Sequence, residues 1–511
     1  MRLLLATVTT LLLAGRPLEA ESPPPTLVLF LSIDQCRADY LERFRPVLEG
    51  GLLRLLEQGA VFADTHHDHA VTITAPGHAA LSTGLFPSHS GIVGNDWFDR
   101  SEKREVYCVE DREAPILLAR ERSGPRPASL GRSPRNLLGE GIGDWMKRNS
   151  SRSKVYAVAG KDRSAVLMGG KKADAAFWYD GESGDWVTSR YYLDEYAAWV
   201  RRFHARRLAD GSFGRNWEPL PVTDALLSSM AIEATGEGAE DSGIPKTIGR
   251  GALSEDAGFY HALFETPFIE PYLFAFAETL VRVERLGTDE WTDLLALSFS
   301  SVDSVGHDYG PNSRELLDAV MRLDRELAGF FRFLDETVGR PRFAVVLSAD
   351  HGVAPLPEYR RKHGLPGGRI SSETLECLGG AGLLAEKLSA CPGVARVWTK
   401  SEIEQARDAD GDLGNLDPML LRYARSYYPG RSPDVYVQFE EWLIDERHGT
   451  THGSPYEYDT HVPGIVLWPG LAPRVIRERI ATVDLAVTLA SLLRIEPPDP
   501  VDGVDRSELM H

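Results

Sequence analysis

Apolar residues in this chain gather in short, nearly unbroken runs. The first is Leu27-Val28-Leu29-Phe30-Leu31-Ser32-Ile33. A run of that kind reads as a strand buried on both faces, the mark of a parallel sheet covered by helices. Similar runs occupy residues 154–159, 294–299, 343–347 and 464–468. Between them, apolar positions recur at helical spacing, most clearly over 316–334 and 482–493. Strands alternating with helices predict an α/β fold, a mostly parallel central sheet sandwiched by helices. Residues 100–290 are less regular, rich in Arg, Tyr and Trp, with a polar loop at 236–243. They are expected to cap the sheet. A second insertion is expected at about 354–450, where 394–399 and 435–439 would form a small β-rich lobe. Residues 21–511 thus read as one catalytic domain carrying two cap insertions.

Polar residues fall where the runs end. Asp34 follows the first, Asp303 another, and the pair Asp350-His351 a third. In open α/β sheets ligands bind beyond the carboxyl ends of the strands, so three carboxylates at three such ends can share one crevice. Adjacent side chains on a strand point to opposite faces, so Asp350 and His351 can share one ion only where the chain bends. Gly352 allows that bend. Asp303 and His307 are four apart and would share one face of a helical turn. Gly306, Gly310 and Pro311 argue there for a turn rather than a long helix. A third imidazole comes from His452, in Thr451-His452-Gly453, or from His461, and spacing does not choose between them.

The segment Thr74-Ala75-Pro76-Gly77-His78 adds a hydroxyl at a predicted helix start. Thr is favoured as an N-cap and Pro in the first turn. A hydroxyl there sits in positive potential, a coordinated dication makes it a better nucleophile, and a phosphate would meet free backbone N–H groups. Lys161 and Arg163 offer a point charge and a planar fork for phosphate oxygens, and Asn95 an amide donor. His66, His67, His69 and His78 read as polar-pocket or surface residues rather than ligands. One hydroxyl, three carboxylates and three imidazoles make a ligand set for two divalent ions with an oxygen nucleophile. Such a set serves phosphoryl or sulfuryl transfer.

The chain has 511 residues, is 43% hydrophobic, and carries a formal net charge of −19. That balance argues against a nucleic-acid partner or an anionic membrane surface. It does not exclude a small anionic substrate, because bound dications reverse the local field. Met1-Arg2, the apolar run 3–14 and Leu18-Glu19-Ala20 read as a signal peptide over residues 1–20, so export to the periplasm or medium is expected. That run is shorter than the roughly 20 residues of a membrane span. Of four cysteines, Cys377 and Cys391 are a candidate bridge, and Cys36 with Cys108 a second pair.

Taken together, these residues resemble the alkaline phosphatase superfamily, most closely its PafA-type phosphate-monoester hydrolases. The similarity runs in matched order from Leu27 to about Gly503. The resemblance implies a metal-dependent alkaline phosphatase acting on small phosphate monoesters through a phosphothreonine; the sequence leaves the oligomeric state open, with a monomer favoured. It implies two Zn2+ ions, one held by Asp34, Asp350, His351 and the nucleophile Thr74, the other by Asp303, His307 and His452. Manganese accepts the same ligand types. Asn95, Lys161 and Arg163 match the family's phosphate-contacting positions. The superfamily's phosphodiesterase/nucleotide pyrophosphatase branch shares both metal triads and the Thr. The cations Lys161 and Arg163 favour the monoester, which presents more terminal charge. A sulfatase would carry Cys or Ser followed by x-Pro-x-Arg, and this chain has Thr74 and His78 at the outer positions. An exported, non-catalytic metal-binding protein is the alternative from another class.

Overall fold

The computed structural model describes residues 24–119, 131–233, 243–249, 257–408 and 416–511. The expected signal peptide and most of the polar loop at 236–243 lie outside the described residues. Ten strands form one sheet: β1 Leu27–Ile33, β2 Ala60–His66, β3 Ile116–Leu117, β4 Val155–Ala159, β5 Ala175–Asp180, β6 Asp185–Ser189, β7 Asp293–Phe299, β8 Phe343–Ser348, β9 His461–Leu467 and β10 Arg474–Ala481. Their order is β10-β2-β9-β8-β1-β7-β4-β5-β6-β3. The centre, β8-β1-β7-β4-β5, is parallel. β9 and β6 run antiparallel to it. The α/β class and the mostly parallel sheet are as the apolar runs predict. The run at 464–468 differs: it belongs to β9, which is antiparallel to β8.

Side chains of β1 alternate between two cores. Leu27, Leu29, Leu31 and Ile33 face one, Val28 and Phe30 the other. Three helices pack on the first face: α3 Ile269–Glu284, α4 Ser301–Tyr309 and α5 Arg314–Thr337. The second face is covered by α1 Thr74–Thr83, α2 Asp162–Gly169 and α6 Asp484–Leu492. α5 begins with Ser313 accepting the Leu316 N–H, a cap that satisfies an otherwise unpaired donor. The stretch 100–290, expected as a cap, also supplies β3 to β6. In the second insertion, Val394–Thr399 pairs antiparallel with Val435–Phe439, and helices Lys400–Asp408 and Pro418–Ser426 lie between them in sequence.

Cys377 and Cys391 form a disulfide. The second pairing fails: Cys36 and Cys108 are buried free thiols. Cys36 belongs to one core and Cys108 to the other, with the sheet between them. Among the described residues, no helix is long and apolar enough to cross a membrane.

Candidate active site

Register brings the site together. Ser32 on β1 lies level with Ser298 on β7 and Ser348 on β8. The chain therefore leaves all three strands at the same edge. Asp34 follows β1 by one residue, Asp350 follows β8 by two, and Asp303 sits in the first turn of α4. Two clusters result, Asp34 with Asp350 and His351, and Asp303 with His307 and His452, each with its ligand atoms within 4.8 Å of one another. The clusters adjoin. Lys161 Nζ lies 2.6 Å from Asp34 Oδ2 and 2.6 Å from Asp303 Oδ2, and the rings of His351 and His452 stack at 3.5 Å.

Each imidazole is locked in one tautomer. His351 Nδ1 donates to the Gly352 carbonyl at 2.9 Å, His307 Nδ1 to that of Thr450 at 2.8 Å, and His452 Nδ1 to that of Thr72 at 3.0 Å. All three Nε2 atoms then face carboxylates: His351 is 3.4 Å from Asp34 and Asp350, while His307 and His452 are 3.2 and 3.8 Å from Asp303 Oδ1. Backbone partners on the remote nitrogen are what metal-ligating histidines use. Asp34 Oδ1 and His351 Nε2 are buried without a hydrogen bond. Orphaned buried polar atoms of this kind are rare, and a bound cation satisfies them. The donor set therefore fits divalent ions.

Packed charge perturbs every member. Burial, then Asp303 and Asp350, push Asp34 well above the ordinary carboxylate range. Burial works the same way on Asp303, yet Lys161 and His307 hold it well below that range. Asp350 is held low against burial by His351 and His78. Burial, reinforced by His351 and His307, keeps His452 neutral.

Thr74 is the first residue of α1, where the N-cap is Ile73. Its hydroxyl is thus not spent on capping. Arg163 Nη2 donates to Thr74 Oγ1 at 3.4 Å, and its Nη1 reaches the Tyr107 hydroxyl at 3.4 Å. Asn95 Oδ1 accepts the Ala75 N–H at 3.0 Å, which leaves its NH2 for a ligand. The expected row of free backbone N–H groups is not there. Asn95 takes that of Ala75, Pro76 has none, and that of Gly77 bonds the Ile73 carbonyl. Besides the Thr74 N–H, donors to an anion here are side chains.

Two local expectations are corrected. Residues 301–309 form an α-helix rather than a turn. Gly306 sits inside it because a Cβ there would meet Gln35 Oε1 at 1.9 Å. Gly352 serves close approach too: a Cβ would lie 2.2 Å from the Tyr458 carbonyl oxygen. His461 lies apart from both clusters, grouped with Asp64 and His66. His67 and His78 are wholly buried beneath the site. His78 Nδ1 donates to the Thr74 carbonyl at 2.9 Å and lies 3.1 Å from Asp350, while its Nε2 meets the Ser298 hydroxyl at 2.9 Å.

Sequence reading missed Gln35. Its backbone N–H donates to Asp350 Oδ1 at 3.2 Å and its Nε2 to Asp303 Oδ1 at 2.8 Å, so one residue touches both clusters. It does so with a φ of +66°. A non-glycine residue in that region is held there by its surroundings, here by the two carboxylates it bonds. Asp162 was also missed. It bonds Tyr107 and Arg132 and accepts the Arg163 N–H at 2.7 Å, fixing the arm that carries Arg163. Its only sequence signal was its place between Lys161 and Arg163.

A sheet of this order, with ligand clusters at its carboxyl edge, defines a metal-dependent hydrolase of the alkaline phosphatase type. The family model for type I phosphodiesterase / nucleotide pyrophosphatase matches residues 28–465, and the chain belongs to that family. It is 32% identical to alkaline phosphatase PhoV of Synechococcus elongatus, over 95% of this chain and 93% of that protein. It is 30% identical to alkaline phosphatase PafA of Elizabethkingia meningoseptica, over 96% and 95%. A crystal structure of wild-type PafA superposes with a TM-score of 0.84 at 28% identity, covering 96% of this chain and 99% of that one. Murine ectonucleotide pyrophosphatase / phosphodiesterase 5 shares the fold at a TM-score of 0.55 and 16% identity.

Proposed function

We propose that this chain is an alkaline phosphatase that hydrolyses phosphate monoesters through a phosphothreonine on Thr74. The reading rests above all on Arg163, aimed at the Thr74 hydroxyl beside two adjoining ligand clusters. The first cluster would hold one divalent ion with Thr74, and the second would hold another. Zinc suits both donor sets. When bound, the ions supply Lewis acidity at the attacking and departing oxygens.

The protein does the rest by positioning and charge. Thr74 Oγ attacks phosphorus in line and the alcohol departs. Water then cleaves the Thr74 phosphoester and inorganic phosphate leaves. Arg163 and the Asn95 NH2 hold the equatorial oxygens, where charge develops. Lys161, one-tenth exposed and paired with Asp34 and Asp303, balances the two carboxylates and places a cation beside the phosphate. The N-terminal apolar run and the disulfide fit an exported enzyme.

A diester lacks one of the charged oxygens that Arg163 would grip. Arg163→Ala should therefore cost an aryl phosphate roughly a hundred- to thousandfold in kcat/KM, and a bis-aryl phosphate much less. Equal losses would favour a diesterase.

A further inference from the structure

We propose a third divalent-ion site, outside the catalytic clusters, formed by Asp64, His66 and His461. His66 and His461 are direct cross-strand partners where β2 meets β9. Residues two apart on a strand share a face, so Asp64 projects beside His66. Asp64 Oδ1 lies 2.7 Å from His66 Nε2. The three ligand atoms lie within 4.8 Å of one another, as in the two catalytic clusters.

His461 repeats the tautomer pattern of the active site. His461 Nε2 donates to the Ala63 carbonyl at 3.1 Å, which leaves Nδ1 with its lone pair. His66 Nδ1 meets the Thr460 hydroxyl at 3.3 Å and Nε2 donates to Asp64 Oδ1 at 2.7 Å, so an ion would take the place of the proton on Nε2. The two rings stack at 4.4 Å and within 9° of parallel. An Asp–His hydrogen bond accounts for one imidazole. It does not account for the second, whose Nδ1 lies 3.8 Å from the exposed Glu457 carboxylate. Two nearby cations are already engaged: Arg479 is paired with Asp68 at 2.5 Å, and Arg37, which lines the pocket with His461, is paired with Asp39 at 2.7 Å.

Two imidazoles, a carboxylate and an open position suit zinc or a similar transition ion rather than calcium or magnesium. His66 Nε2 and Asp64 Oδ1 already satisfy one another, unlike the orphaned atoms at Asp34 and His351. The site should therefore exchange its ion more readily than the catalytic ones. It would clamp β9 to β2 just after Asp459, whose carbonyl accepts the Gly352 N–H at 2.7 Å, next to the ligand His351.

The test is equilibrium dialysis of the full chain against Zn2+, with metal counted per chain. Wild type should hold one ion more than His461→Ala and Asp64→Asn, and both variants should keep wild-type turnover of an aryl phosphate. Added Zn2+ should raise the unfolding temperature of wild type further than that of either variant. Equal metal content in all three folded proteins overturns the proposal. Because the readout is a difference, it holds whatever number of ions the catalytic clusters bind.

Discussion

The two ligand clusters assemble similar donor sets from different materials. Asp34, Asp350 and His351 sit on or just beyond strands at the centre of the sheet and are all 0% exposed. Asp303, His307 and His452 come from a helix and a loop, and the His307 side chain is 36% exposed. The first cluster is rigid because β1 and β8 are fixed in register on both sides. The second opens to solvent, where in the proposed mechanism a departing alcohol of variable size would leave. The proposed nucleophile, Thr74, is tied to that rigid cluster through His78, which bonds the Thr74 carbonyl and lies 3.1 Å from Asp350, and there a misplacement of an ångström would cost most.

The sharpest cut through that comparison is Thr74→Ala. Turnover of an aryl phosphate should fall by about 10⁴-fold or more, while metal content stays near wild type. Substantial retained turnover would remove Thr74 from the mechanism. Next come ligand deletions, one from each cluster. His452→Ala should lose one ion and roughly a hundred- to thousandfold in kcat, with a small change in urea midpoint. Asp350→Ala should lose an ion and also about 3–5 kcal/mol of stability, because His78 and His351 lose a buried charged partner. Equal stability losses would erase the distinction between rigid and open clusters.

Gln35→Ala tests whether the clusters are coupled. Removing the amide that holds Asp303 should weaken metal binding by roughly ten- to hundredfold, read by competition with a chelating dye. An unchanged affinity would make Gln35 a packing residue only.

An effect on stability alone concerns Glu270, which accepts the Ser301 N–H at 2.9 Å and so holds the start of α4. Burial pushes its carboxyl up to about 7. A carboxyl raised on folding binds its proton more tightly in the native state. Its stabilising effect is complete at low pH and is lost as pH rises from the ordinary carboxylate value to about 7. Glu270→Gln should flatten that part of the stability curve, by on the order of 3 kcal/mol between about pH 4 and pH 8. Parallel curves for the two proteins in urea titrations would contradict it.

Much of this was legible in the chain. The central strands could be read because burial on both faces demands unbroken apolar runs, and their abrupt polar ends marked Asp34 and Asp350. β10 could not, since Arg474, Arg477, Glu478 and Arg479 interrupt it as an edge strand facing solvent. Nor could Gln35, whose role depends on a positive φ and on contacts about 270 and 315 residues away. The choice between His452 and His461 depended on which strand edge each reaches. His452 bonds Thr72, two residues before the nucleophile, while His461 pairs with His66 on β2. Spacing carries no information about such placements.

Anomalous diffraction from a crystal of the metal-loaded protein would test the central claim most directly. Two strong peaks should appear, one within bonding distance of Asp34, Asp350 and His351, the other of Asp303, His307 and His452, with Thr74 Oγ against the first. Density at neither cluster, in a crystal of active enzyme, would contradict the account.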